Sequence, residues 1–252
     1  MKTVTDLWLL TKRPFMQNLR NPTWLFVGAS TPILYLVLFM PLLKKLVGPG
    51  LNPDNVVQLF LPGIVALLAF GDGAFAGWGT LFSLKSGFIE RIRVTPASRF
   101  ALLVGPILAN IVWMLIFSAL IIGLSVPFGF HIHILGLIIF GVLLSLLVAL
   151  FGAWSTAMAI LINEMGSFAA VVNGINLPLI LLAGVMLPLS LAPTWMRYVA
   201  HANPLYYVVI AGRELGSGKI ATHNVGLAFV VIVPLTAPTL WWAIRVYRKA
   251  VA

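Results

Sequence analysis

The sequence contains little charge and no cysteine. Only 9% of its 252 residues are charged and 61% are hydrophobic, whereas a typical soluble domain has about 25% charged and about 45–50% apolar residues. A soluble chain of this length needs more charge on its surface, so the apolar excess must face lipid. The lack of cysteine excludes disulfides, zinc–thiolate sites and thiol catalysis. The composition therefore predicts an all-α integral membrane protein with one transmembrane domain over residues 1–252.

Acidic residues are also scarce. Six Asp and Glu stand against sixteen Lys and Arg, which gives a formal charge of +10. In a soluble protein such an excess suggests nucleic-acid binding. Here the basic residues lie beside apolar runs, so we assign them to membrane topology and lipid headgroups and expect no nucleic-acid partner. No Ser-His-Asp set is readable, and His131 and His133 have no acidic or thiol neighbour, so neither a catalytic nor a metal site is predicted.

Six long apolar runs predict six transmembrane helices. They cover about residues 24–43, 57–81, 101–125, 134–161, 166–187 and 224–243. An amphipathic pattern over residues 3–20 predicts a helix in the membrane interface. Residues 188–222 are too polar to span and too apolar for a free loop, which predicts two short helices that form a re-entrant hairpin in the outer membrane surface.

The basic residues predict the topology. With both termini inside, eleven of them lie on the inner side and five on the outer side, as the excess of positive charge in cytoplasmic loops requires. This orientation places residues 85–96 inside, as a short charged helix along the membrane surface that ends at Pro96. From composition alone, this segment either contacts a cytosolic partner or only sets the topology.

Several segments, taken in order, resemble the membrane subunit of type-2 ABC transporters of the drug-resistance and nodulation-factor exporter type. They cover nearly the whole chain and are Pro62-Gly63-Ile64, Gly87-Phe88-Ile89-Glu90-Arg91, Val94-Thr95-Pro96, Leu182-Ala183-Gly184-Val185-Met186-Leu187-Pro188 and Asn203-Pro204-Leu205-Tyr206-Tyr207. Many members carry an Arg-Glu pair before the first glycine of the second segment, where this chain has Leu84-Lys85-Ser86.

The resemblance implies a bacterial or archaeal exporter in the plasma membrane, for a hydrophobic or amphipathic substrate such as a drug, a lipid-linked molecule or a peptide. It implies that residues 85–96 form a coupling helix that docks into a cytosolic ATPase subunit. The residues that this implies for coupling are Gly87, Glu90, Arg91, Arg93, Thr95 and Pro96. In this chain, Gly216-Ser217-Gly218-Lys219 departs from the pattern of a phosphate loop, and we expect no cofactor in the chain itself. ATP and Mg would therefore be bound by two separate ATPase subunits. A second permease copy or a related chain would complete the path.

Asp72 lies near the middle of the second predicted span. An intramembrane carboxylate is costly unless it is paired, neutral or hydrated, and it marks a functional site by default. We therefore expect Asp72, with Trp78, to line the substrate path, while a structural aspartate is the alternative. A secondary transporter or channel that uses Asp72 is the competing function, and a membrane-embedded enzyme is a more distant one.

Two further features of the spans have two interpretations each. Gly73 and Gly77 form a small-xxx-small face, which indicates either a dimer seam or a contact within the chain. Aromatic residues of the outer hairpin indicate either an aromatic belt at the membrane interface or a lateral gate for an amphipathic substrate. These aromatic residues are Trp195, Tyr198, Tyr206 and Tyr207.

Overall fold

The computed structural model of the chain describes residues 2–34, 37–38, 53–87, 99–185 and 192–251. Regular structure in these residues is entirely helical, which confirms the all-α prediction. A 3₁₀ turn at Val126–Phe128 follows the helix that ends at Ser125. The α-helices are α1 Lys2–Leu19, α2 Pro22–Leu34, α3 Pro53–Ala74, α4 Gly77–Lys85, α5 Arg99–Ser125, α6 Ile134–Ile162, α7 Met165–Leu182, α8 Thr194–Ala200, α9 Pro204–Gly216 and α10 His223–Val251.

Five helical stretches in the described residues are long and apolar enough to cross a membrane. They are Val57–Lys85, Phe100–Phe128, Ile134–Ile162, Met165–Leu182 and His223–Lys249, and each coincides with a span predicted from the sequence. The other predicted span, 24–43, lies only partly within the described residues, where α2 covers Pro22–Leu34. The count of six spans therefore stays a prediction. The two short helices predicted within 188–222 are present as α8 and α9.

Helix α6 is the centre of the packing. It contacts α3, α4, α5, α9 and α10, and its residues Leu143, Leu144 and Leu147 are at most 1% exposed. The apolar residues on this helix are continuous rather than periodic, as expected for a helix surrounded by other helices. Gly136 allows the start of α6 to approach the backbone of Leu215 on α9. The core formed in this way holds α3 in a fixed position beside α6.

The second predicted span, 57–81, is not one continuous helix. Helix α3 ends at Ala74 and α4 begins at Gly77, and the N–H of Ala76 donates to the carbonyl of Gly73, three residues back. Ser155 of α6 joins the two helices, because its Oγ donates to the carbonyl of Ala74 at 2.6 Å and accepts from the N–H of Gly77 at 2.9 Å. The serine hydroxyl thus replaces helical hydrogen bonds that the break removes. Such breaks in a helix have identifiable causes, and an inserted side chain is one of them.

Helix α1 packs along α5. The ring of Phe15 stacks on Trp113, with centroids 4.8 Å apart, and Leu10 lies against Gly105. A second apolar cluster forms here, in which Leu10 joins residues of α5, α6 and α10. The N-terminal helix predicted for residues 3–20 therefore exists, and one of its faces is attached to the helical bundle.

Candidate functional site

A chamber of about 520 Å³ lies between α1, the α3–α4 break, α5 and the end of α10. Its size is within the range of small-molecule binding sites. Asp72 and Trp78, which the sequence predicts for the substrate path, both line it. Asp72 comes from the last turn of α3 and Trp78 from the first turn of α4, so the break brings the two side chains to one wall.

The lining of this chamber, which we call the large chamber, combines aromatic, polar and charged side chains. Phe75, Trp78 and Phe82 supply aromatic rings, and the ring of Trp78 is held edge-to-face by Phe168, with centroids 5.6 Å apart. Asp72 is half-buried and is the one acidic residue among the lining residues, and Arg13 is the one basic residue. A carboxylate beside several aromatic rings suits an organic cation.

Gly73 and Gly77 contact α6 of the same chain. A Cβ at Gly73 would lie 2.9 Å from the Cβ of Phe151, and one at Gly77 would overlap the backbone of Ser155 and the ring of Phe168. Both glycines are needed because α6 approaches so closely at these positions. Of the two interpretations of this face, the structure shows the contact within the chain.

The predicted coupling segment is described only at its beginning. Helix α4 ends at Lys85, and Gly87 has φ of +68°, a left-handed conformation that glycine adopts without strain and that commonly ends a helix. Gly87 is thus explained by the backbone turn, rather than only by close approach to a partner. The remaining residues predicted for coupling lie outside the described residues. They are Glu90, Arg91, Arg93, Thr95 and Pro96.

The turn between α6 and α7 lies at the same end of the bundle as Lys85. Asn163 has φ of +48° and ends α6, and Glu164 caps α7 by accepting from the N–H groups of Gly166 and Ser167 at 2.8 and 2.5 Å. Hydrogen bonds from Ser167 and Gly166, with the nearby charge of Lys85, lower the pKa of Glu164 from 4.5 to about 2. The tight turn predicted at Asn163-Glu164 is confirmed.

The α8–α9 hairpin brings part of its aromatic set together. The rings of Tyr206 and Tyr207 meet at 5.3 Å, and the hydroxyl of Tyr207 donates to the carbonyl of His201 at 2.9 Å. Trp195 and Tyr198 of α8 are instead 66% and 76% exposed. The hairpin thus has a fixed aromatic cluster at the start of α9 and two free aromatic rings on α8.

Arg213 is a structural residue that the sequence interpretation used only as a topological charge. From α9, its Nε donates to the carbonyl of Leu59 at 2.9 Å, and its Nη2 donates to Gly184 at 2.6 Å and Val185 at 3.3 Å. The guanidinium therefore holds together α9, the start of α3 and the segment after α7, while burial lowers its pKa. Gly63 of α3 permits this arrangement, because a Cβ there would lie 2.8 Å from the carbonyl oxygen of Val185.

The histidines at 131 and 133 contact separate partners. Nδ1 of His131 accepts from the side-chain amide of Gln58 at 3.0 Å, and Nδ1 of His133 lies 3.1 Å from the carbonyl of Gly216. Residues 216–219 lie at and just after the carboxyl end of α9, where Gly218 has φ of +81°. A phosphate loop precedes the amino end of a helix, so the structure confirms that this segment is a turn.

The comparisons identify the family. The model of the ABC-2 type transporter family matches residues 5–215. The transport permease ycf38 of Cyanophora paradoxa is 29% identical over 214 residues, which cover 82% of this chain and 72% of that protein. The daunorubicin resistance ABC transporter permease protein DrrB1 of Streptomyces coeruleorubidus is 24% identical over 249 residues, or 98% of this chain and 86% of that protein.

The chain therefore belongs to the ABC-2 type transporter family, and the resemblance seen in the sequence is confirmed. It is a multi-pass membrane permease of an ABC transporter. Permeases of this family associate with ABC ATPase subunits, and the permease itself is normally not catalytic.

Proposed function

We propose that this permease is one half of the membrane domain of an ATP-driven exporter. A second copy, or a related chain, completes the membrane domain, and two cytosolic ABC ATPase subunits bind ATP and Mg. The substrate is hydrophobic or amphipathic, and both termini face the cytosol. The name of the Streptomyces relative, a drug-resistance permease, supports a drug among the candidate substrates.

The observation that carries this proposal is the position of the large chamber beside the predicted coupling segment. Trp78, Ser83 and Ser86 of the α4 region all line the chamber, and Gly87 follows directly, where the segment 85–96 begins. A displacement of that segment by the ATPase would move α4, and α4 is one wall of the chamber. The break at residues 75–76 separates α4 from α3, so the break and α4 can move together while α3 stays packed on α6.

The proposal is tested by purifying the permease from native membranes with whatever it binds. We expect a stoichiometric ABC ATPase and ATP-driven uptake of an amphiphilic cation into inside-out vesicles. Glu90→Lys should insert normally but lose the ATPase or its coupling to transport, and Glu90→Asp, which keeps the carboxylate, is the matched control.

Two results would contradict the proposal. Normal ATP-driven transport by Glu90→Lys removes the assignment of residues 85–96 to coupling. Recovery of the permease alone, with transport that follows a proton or sodium gradient, removes the exporter and favours a secondary transporter that uses Asp72.

A further inference from the structure

A second, smaller chamber adjoins the large one at Asp72. It has a volume of about 190 Å³ and lies between α2, α3 and α5. Asp72 belongs to the lining of both chambers. The other residues that line the small chamber carry no polar side chain, and they are Val27, Gly28, Leu68, Met114 and Phe117.

The two chambers follow one another along a single face of α5. This helix contributes residues 102, 106 and 110 to the large chamber and residues 114 and 117 to the small one. Steps of four and three residues return to the same helix face, and at 1.5 Å per residue the row from 102 to 117 is about 22 Å long. The two chambers therefore lie in line along α5 with Asp72 between them, one beside α1 and the other beside α2, and we call this row the groove along α5.

The chemistry of the groove changes at Asp72. On the large-chamber side, the lining contains one carboxylate and three aromatic rings, whose faces attract cations and disfavour anions. A cationic group beside Asp72 is thus favoured over an anionic group beside Arg13. On the small-chamber side the lining is apolar, so burial of a hydrocarbon tail there is favourable. Each half of the groove therefore suits one half of an amphiphile.

We propose that the groove along α5 binds an extended amphiphilic cation, with its charged group beside Asp72 and Trp78 and its hydrocarbon tail in the small chamber between Leu68, Met114 and Phe117. This inference names the substrate class of the proposed path and rests on that proposed function. Its test measures binding alone, so it requires neither ATP nor the ATPase.

The experiment titrates the purified full-length permease in lipid nanodiscs with alkyltrimethylammonium ions of four to fourteen carbons, with empty nanodiscs subtracted. Each added methylene should tighten binding by about fourfold until the tail fills the small chamber. Longer tails should give no further increase in affinity. Alkyl sulfates of the same lengths should bind more weakly, because the groove favours the cation.

Two variants separate the contributions of charge and tail. Asp72→Asn should weaken the binding of every cation in the series by the same factor, on the order of tenfold to a hundredfold. It should not change the tail length beyond which affinity no longer rises. Leu68→Trp fills the small chamber, so affinity should level off at a shorter tail length. The binding of short-tailed ions should be unchanged. Leu67→Trp is the matched control, because Leu67 is half-buried on the same helix and lines neither chamber.

Some outcomes would overturn this inference. Affinity that rises through fourteen carbons and is unchanged in both variants indicates partition at the lipid-facing surface. Tighter binding of alkyl sulfates assigns the site to Arg13 instead. If the cations bind as expected but no ATP-driven transport is found, the groove stands and only the exporter proposal fails. Equal melting temperatures of wild type and variants verify that the fold is retained.

Discussion

The hydroxyl of Ser155 is predicted to stabilise the break between α3 and α4. Ser155 is fully buried, and it satisfies the carbonyl of Ala74 and the N–H of Gly77 at the same time. Ser155→Ala removes one oxygen with little change in volume and leaves both backbone groups without this partner. Gly77 cannot recruit another partner easily, because the ring of Phe168 and the backbone of α6 surround it.

The loss of stability expected for Ser155→Ala depends on which of two free-energy costs applies. Hydrogen bonds between helices within membranes average only about 0.6 kcal/mol, whereas leaving a buried backbone group unsatisfied costs about 1–3 kcal/mol. The second case applies here, so we expect Ser155→Ala to lower the free energy of unfolding by about 2–3 kcal/mol. Ser145→Ala on the same helix should cost under about 0.5 kcal/mol, because the Ser145 hydroxyl donates to the carbonyl of Gly141, which already accepts a bond of its own helix.

The measurement is reversible unfolding of both variants in mixed detergent micelles, followed by circular dichroism. A cost for Ser155→Ala no larger than that for Ser145→Ala would refute the reasoning, since it would mean that the break satisfies its own backbone. Ser155→Thr keeps the hydroxyl and should be more stable than Ser155→Ala.

Two other predictions concern single polar residues. Arg213→Lys should lower the melting temperature by several degrees more than Arg197→Lys. One ammonium cannot reproduce the guanidinium hydrogen bonds to Leu59 and Gly184, whereas exposed Arg197 donates to one carbonyl. Equal shifts in melting temperature would contradict the assigned role of Arg213. The pKa of Glu164 is lowered on folding, so its contribution to stability is present above pH 4.5 and is lost as the pH falls towards 2. Glu164→Gln should therefore flatten the decline in melting temperature between pH 5 and 3, and an unchanged decline would contradict this.

The sequence predicts those parts of this fold that depend on local pattern. Continuous apolar runs give the spans, because a helix satisfies its backbone hydrogen bonds within the segment itself. The stop at Asn163 follows from a residue type that adopts the left-handed conformation at helix ends, and the negative charge of Glu164 suits the amino end of α7. The positions of Asp72 and Trp78 on one chamber wall also follow in part, since they lie close in the same predicted span.

The sequence does not predict features that depend on distant pairs. The break at residues 75–76 is stabilised by Ser155, about eighty positions further along the chain, and nothing in the local sequence pairs that serine with the break. A serine within the most apolar span is a signal, because a hydroxyl there requires a partner, but Ser145 of the same span finds its partner within its own helix. The role of Arg213 was missed for the same reason, because its acceptors are backbone carbonyls that any residue type provides.

The break should move during transport if α4 transmits the motion of the coupling segment to the large chamber. A Cβ at Gly152 would lie 3.7 Å from the Cβ of Ala76, within the range of about 3.5–4.5 Å that disulfides adopt. The Cβ added at 152 would meet Ile107 only at ordinary contact distances. Because the chain has no cysteine, Ala76→Cys combined with Gly152→Cys gives a single possible intrachain disulfide between the break and α6.

We expect oxidation of this double variant to stop ATP-driven transport and to leave ATP binding by the partner subunit intact, and reduction to restore transport. Each single-cysteine variant is the control and should transport under both conditions. Full transport by the oxidised and demonstrably cross-linked protein would show that residue 76 stays fixed on α6 throughout the cycle. In that case α4 and α6 would move as one body, and the coupling segment would have to act on the chamber through α1 and α5 instead.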